Sequence, residues 1–196
     1  MSRPPRARAQ ILAAARQIVE REGAGALTFE ELSRVSGLTR GGITYHFPTK
    51  DALLRGLLEH DLEQWRESEA ACTPDDLPCP RQRELLGFIR SHTSQDDRRR
   101  RFVAGMLSAA VHRPELLDGC REEIRARFHD VAWTESALRA HLLRLAAVGL
   151  FWEDVFQIPS LPPPARARLV ELLERLALDW AADEPDSTPC RKDTSA

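Results

Sequence analysis

The stretch Gly37-Leu38-Thr39-Arg40-Gly41-Gly42-Ile43-Thr44-Tyr45-His46-Phe47-Pro48-Thr49-Lys50-Asp51-Ala52-Leu53 constrains this chain more than any other. A turn glycine, a very short helical segment, a proline stop and a second helix start follow one another without a gap. A helix this short does not hold itself, because nucleation is costly and isolated helices below about 12 residues are marginal in water. Other elements must carry it. Its polar and aromatic residues answer to no local burial pattern, so they must face something outside the fold.

The segments that carry it are helical. Ile11, Leu12, Ala15, Ile18 and Val19 recur at three-to-four spacing, which predicts an amphipathic first helix over about 6–22, ended by Gly23. Thr28 and Glu31 stand in capping-box spacing ahead of a second helix that turns Phe29, Leu32 and Val35 inward. Gly37 supplies the left-handed residue of a tight helix–helix turn. Thr39 then caps a third helix to about His46, with Ile43 and Phe47 as its buried anchors. The pair Gly41-Gly42 costs that helix about 1 kcal/mol each relative to alanine, but it lets the backbone come close to another surface.

From Thr49 a long helix carries Leu53, Leu54, Leu57, Leu58, Leu62 and Trp65 on one stripe to about Ala71. A loop follows at 73–80, where three of eight residues are proline. The remainder predicts helices at about 82–93, 98–112, one starting at Pro114, 134–157 and 165–182. The fourth of these carries Leu138, Leu142, Leu145, Val148, Trp152, Val155 and Phe156 as its apolar residues. No strand pattern, repeat or low-complexity run is present, so the fold class is all-α. The expected organisation is a three-helix domain at 1–48, a larger helical domain at 49–182, and a polar, disordered tail at 183–196.

Charge is divided unevenly. Residues 1–60 hold nine Lys and Arg against six Asp and Glu, whereas residues 61–196 hold nineteen against twenty-four. A basic front suits contact with phosphate. No apolar run approaches the roughly 20 residues a membrane span needs, and the basic N-terminus leads into an amphipathic segment, so a cytoplasmic protein is expected. Cys72, Cys79, Cys120 and Cys190 form no CxxC pair and have no histidine at metal spacing. Reduced thiols are expected, with a redox-sensing pair at Cys72 and Cys79, which a loop could bring together, as the alternative. No metal and no cofactor are expected.

Residues 28–47 therefore read as a helix-turn-helix, whose second helix can enter a major groove about 12 Å wide. The caps at Thr28, Thr39 and Thr49 lie at helix N-termini, where backbone amides attract anions. Arg40 is the best candidate for a base contact. Thr44 offers a methyl group to thymine or a hydroxyl to phosphate. Tyr45, His46 and Lys50 are phosphate candidates, and a basic arm with Arg3, Arg6 and Arg8 can reach a minor groove. Taken singly, each residue has a plainer reading: a solvated arginine at Arg40, a ring packed on the first helix at Tyr45, a lysine paired with a carboxylate at Lys50. Their common register is what makes the combination informative.

From about Gln10 to Leu58 the chain resembles the TetR family of transcriptional regulators. The likeness rests on Ile11-Leu12-Ala13-Ala14-Ala15, Leu27-Thr28, Leu32, Gly37 and above all the run Tyr45-His46-Phe47-Pro48-Thr49-Lys50-Asp51-Ala52-Leu53, which is similar to that family's Y-x-F-x-x-K-x-x-L signature. The resemblance implies an all-helical fold and a homodimer joined through its last two long helices. It implies a repressor of a palindromic double-stranded DNA operator, answering to a small-molecule effector. It implies DNA contacts at Thr28, Thr39, Arg40, Gly41, Gly42, Thr44, Tyr45, His46 and Lys50. Two departures stand out: Thr44 occupies a position where the family commonly has tyrosine, and Gly42 removes a side chain that often touches DNA.

The second part resembles the family by architecture alone. Trp65, Phe88, Phe102, Met106, His112 and Trp152 are candidates to line an effector pocket, with core or dimer interface the plainer role for any one of them. Two other classes stay open at this level. One is a helical small-molecule-binding or enzyme domain, for which no nucleophile motif, metal spacing or phosphate loop is found. The other is a helical adaptor for protein partners, which would lack salt-sensitive DNA affinity.

Overall fold

The computed structural model describes residues 4–182, and among them it contains nine α-helices and no strand. Arg3 and the tail at 183–196 lie outside the described residues. Helix α1 spans Pro4–Glu22, with prolines in a first turn that needs no amide donors. It stops at Gly23, whose φ is 80°. Helix α2 is Phe29–Ser36, α3 is Arg40–His46 and α4 is Lys50–Cys72. Helix α5 is Pro80–Thr93, and α6 is Asp97–His112, capped by the Asp96 carboxylate. The helix expected from Pro114 is two elements, a 310 turn at Pro114–Leu117 and α7 at Asp118–Phe128. Helix α8 is Glu135–Phe156 and α9 is Pro163–Ala182.

Packing divides the described chain into two compact units that do not follow chain order. The first unit takes residues up to Gln64 together with Asp96–His129, and the second takes Trp65–Gln95 together with the residues from Asp130 onward. Helix α4 therefore begins in one unit and ends in the other.

In the first unit, α1 is the central element. Its predicted stripe of Ile11, Leu12, Ala15, Ile18 and Val19 is buried, with Leu32, Ile43, Phe47, Leu53, Leu54, Leu57, Phe102 and Met106 in the same core. Each such side chain contributes about 1.5–3 kcal/mol by leaving water, which is how the short α3 is held. Helices α1 and α6 come together at backbone distance. The Ala24 amide donates to Gly105 O at 2.9 Å, and a Cβ at position 105 would lie 2.5 Å from Val19 O. Only glycine fits there.

An ionic cluster, buried at its centre, ties α1, α4 and α6. Arg16 Nη1 lies 2.8 Å from Asp61 Oδ1, and Arg99 Nε lies 3.8 Å from the same oxygen. Glu20 pairs with Arg16 at 3.0 Å and with Arg98 at 3.2 Å. The Arg16 guanidinium also sits 4.2 Å over the Phe102 ring. Burial pushes the Arg99 guanidinium down, and Asp61 opposes the shift. Such a cluster is expensive to break, because removing one partner leaves a buried charge uncompensated.

In the second unit, α5, α8 and α9 enclose Leu85, Leu86, Ile89, Leu143, Ala147, Leu150, Leu173 and Ala177. Of the apolar residues named on α8 from the sequence, Val155 is buried, whereas Leu138, Leu142, Leu145 and Phe156 are each more than half exposed; the other buried positions are Leu143, Ala147, Leu150 and Phe151. Helix α8 is apolar over most of its circumference, so periodicity fits more than one face. The face bearing Ala147 lets α5 and α9 approach. From Pro114 onward, Leu116 is buried in the 310 turn, whereas α7 itself buries no residue and Ile124 is 59% exposed.

Candidate nucleic-acid interface

The helix-turn-helix is built as its caps require. Thr28 Oγ1 accepts from the Glu31 amide at 3.1 Å. The Glu31 carboxylate holds Arg34, and the hydrogen bond to this arginine keeps it below the ordinary carboxylate range. Gly37 adopts φ 70°, ψ 10°, and its amide bonds Ser33 O at 3.0 Å, which ends α2 and turns the chain. Gln10 Nε2 donates to Ser36 O at 2.7 Å and pins that turn to α1. Thr39 Oγ1 accepts from the Gly42 amide at 3.2 Å, and Thr49 Oγ1 accepts from the Ala52 amide at 3.1 Å. Three helix N-termini are thus capped by threonine within one compact block.

Helix α3 buries Ile43 completely and turns its other residues outward. Tyr45 is 81% exposed, and its ring meets the half-buried His46 edge-on at 5.1 Å. Arg40 is exposed and pairs with Glu30 of α2, its guanidinium 5.9 Å from the Phe29 ring centroid. An exposed pair of this kind is worth about 0–1 kcal/mol, so Glu30 parks the arginine without trapping it. A Cβ at Gly41 would meet nothing within 4 Å, so the bare stretch is open. Thr44 Oγ1 donates back to Arg40 O at 3.1 Å and to Gly41 O at 3.2 Å. Its hydroxyl proton is already spent inside its own helix, and a phosphate contact would have to displace that bond.

Lys50 opens α4, and its Nζ donates to Gly25 O at 3.2 Å. Burial holds its ammonium below the ordinary lysine range. The nearby Arg113 charge lowers it further, and Asp51 acts in the opposite direction. Arg113, just past α6, pairs with Asp51. The basic arm is only partly covered by the described residues: Arg6 is exposed but belongs to α1, and Arg3 falls outside them. Arg8 lies 3.8 Å from Glu59, with its guanidinium 5.5 Å over Phe47.

The six pocket candidates do not form one set. Phe102 and Met106 belong to the core of the first unit, and His112, at the end of α6, is exposed. Trp65 and Phe88 do come together in the second unit, around a residue the sequence reading did not single out. The His92 ring stacks at 4.6 Å on Trp65 and at 3.9 Å on Phe88, with Phe151 edge-on to Trp65 at 5.3 Å. Trp152 stacks on Phe156 at 5.6 Å and meets Phe151 at 5.8 Å. In the first unit a cavity of about 180 Å³ is lined by Arg55, Leu58, Glu59, Leu62, Glu115, Leu116, Asp118, Gly119 and Cys120. Burial raises the Cys120 thiol. Three-dimensional contacts that join distant segments, such as Arg40 with Glu30 and Arg113 with Asp51, left no periodic trace in the sequence.

Comparison with known proteins agrees with this geometry. Residues 11–57 match the model of bacterial regulatory proteins of the tetR family, and residues 82–178 match that of the tetracyclin repressor-like C-terminal domain. The HTH-type transcriptional regulator TtgR of Pseudomonas putida is 34% identical over 98 residues, which is 48% of this chain and 46% of that protein. A probable HTH-type transcriptional regulator, ArpR, also of Pseudomonas putida, matches to the same extent. The chain thus spans about half the length of the curated relatives it matches. Among solved structures, a transcriptional regulator from Rhodococcus sp. Rha1 superposes with a TM-score of 0.67 at 19% identity, over 91% of this chain and 99% of the other. The multidrug binding protein EbrR, complexed with imidazole, does so with a TM-score of 0.61 at 21% identity, over 89% and 90%.

Proposed function

The chain belongs to the TetR family of bacterial regulators, and from that premise we propose that it is a ligand-responsive repressor binding a palindromic DNA operator as a homodimer. The observation that carries the reading is α3 itself. It is a helix too short to stand alone, held by one buried isoleucine and a threonine cap, with an exposed Tyr45, a loosely parked Arg40 and an open Gly41. A surface that serves only the fold has no use for that combination.

Each residue then takes a role. Arg40 leaves Glu30 for a base edge, with guanine the best geometric match. Gly41 and Gly42 admit the DNA backbone or base edges close to the helix. Tyr45, His46 and Lys50 hold phosphates, together with the capped N-termini at Thr28, Thr39 and Thr49. Two copies present two such helices, and operator binding needs them spaced for successive major grooves, about 34–36 Å apart. The exposed leucines of α8 and Leu172 of α9 form an apolar surface for a second copy. Trp65, Phe88 and Trp152, with His92 and Phe151, are the residues best placed to meet an aromatic or amphipathic effector. Such an effector acts by preferring the state whose recognition helices are misplaced. Among the described residues no helix is long and apolar enough to cross a membrane, and a DNA-bound role places the protein in the cytoplasm.

The test is selection of duplexes from a random-sequence pool, followed by footprinting. A protected palindrome is expected. Arg40→Ala is expected to weaken binding by about 1–3 kcal/mol and to relax the preference at one position in each half-site. Failure to enrich any duplex at low salt, or Arg40→Ala binding as tightly as the unaltered protein, overturns the reading.

A further inference from the structure

The Asp51 carboxylate stands in the first turn of α4, beside Lys50 and the Thr49 cap, where the proposed function places a DNA phosphate. A carboxylate there repels the phosphate and competes with it for Lys50 and for the α4 amides. The structure answers this with Arg113. Its backbone is fixed on both sides: its amide bonds Ala109 O at 2.9 Å and its carbonyl accepts from the Leu116 amide at 3.0 Å. Its side chain reaches back from the end of α6 to Asp51 and makes an ion pair in which both groups are about one-third to one-half exposed.

We propose that Arg113 is a positioning residue for operator binding: by engaging Asp51 it neutralises a carboxylate that opposes phosphate at Lys50 and the first turn of α4. The proposal rests on the DNA reading and gives α6 a part in it. The direction of the Lys50 shift agrees with this geometry, since the Arg113 charge is felt at the ammonium and Asp51 acts against it. Arg113 need not touch DNA. Its work is to keep Asp51 occupied. Any displacement of the end of α6 withdraws Arg113 and returns the carboxylate to the phosphate site. This gives α6 a purely electrostatic means of weakening binding.

The experiment measures affinity and salt dependence on a duplex selected by the unaltered protein, for Arg113→Ala, Asp51→Asn and the double variant. Lys50→Ala serves as the reference for a direct phosphate contact. Arg113→Ala is expected to bind about tenfold more weakly, the size of one poorly screened like charge near the site, with an unchanged slope of log affinity against log salt. Asp51→Asn is expected to bind at least as tightly as the unaltered protein, and the double variant to recover most of the loss. Lys50→Ala should lower the salt slope by about one. Asp51→Asn losing as much as Arg113→Ala would show a simple clamp and overturn the proposal. So would a salt slope reduced in Arg113→Ala and not rescued by Asp51→Asn, which marks a direct phosphate ligand. If Arg113→Ala melts early, Arg113→Gln keeps the stem and is read in its place. Failure of the DNA reading shows separately, as Arg40→Ala and Lys50→Ala without effect.

Discussion

Gly41 shows how little of a binding residue need be side chain. Its position is open, so Gly41→Ala meets no neighbour in the free protein and should stabilise α3 by up to about 1 kcal/mol. If the backbone at this point approaches DNA, the same methyl group obstructs the complex. The expected outcome is an unchanged or higher melting temperature with operator affinity at least about tenfold weaker, a cost in the range of overpacking a close contact. Melting and gel shift on the same preparation check both halves. At this scale the sequence was most legible where the rule is local. The caps at Thr28, Thr39 and Thr49 and the left-handed Gly37 needed only their neighbours to be recognised. The Glu30 partner of Arg40 and the Gly25 partner of Lys50 were not legible. Each joins separate segments, and nothing in a stretch of sequence marks which carboxylate or carbonyl the fold will bring near.

Between elements, the tightest junction is α1 against α6. Gly105→Ala places a methyl carbon 2.5 Å from Val19 O, a backbone atom that cannot turn aside. The two helices must separate, at about 1–3 kcal/mol. For a chain of this size the melting temperature should fall by about 2–4 °C per kcal/mol, read by calorimetry. Because α6 also carries Arg99 and Phe102, the wedge disturbs the ionic cluster and the core together. Helix starts were legible where a threonine caps them, as at Thr134, whereas Pro80 and Pro163 open their helices two residues ahead of the expected 82 and 165. The face that each helix buries was legible on α1, where apolar residues occupy one stripe. It was not legible on α8, where leucines ring the helix and only the choice of packing partners decides which of them are covered.

Across the whole molecule, the leucines left over on α8 become the argument for a second copy. Leu142→Glu with Leu145→Glu changes two side chains that are each more than half exposed, so the folded chain should tolerate both. In an assembly that covers them, two charges at an interface core cost about 2 kcal/mol or more. Sedimentation is expected to show a monomer, and operator affinity is expected to fall with it. A variant that remains dimeric would place the interface elsewhere. The all-helical class was legible because caps and prolines punctuate the chain so regularly. The partition into units was not legible, because the break inside α4 has no signal in composition and α6 joins α1 across intervening sequence. This discontinuity has a consequence for how the protein is made. The first 64 residues leave the ribosome without Phe102 and Met106, side chains on which the core around α1 depends. The unit around α1 therefore completes its fold only after synthesis has passed α6. By then all of α5 and the lower half of α4 have emerged as well. Interruption of translation before that point leaves the unit around α1 without part of its core.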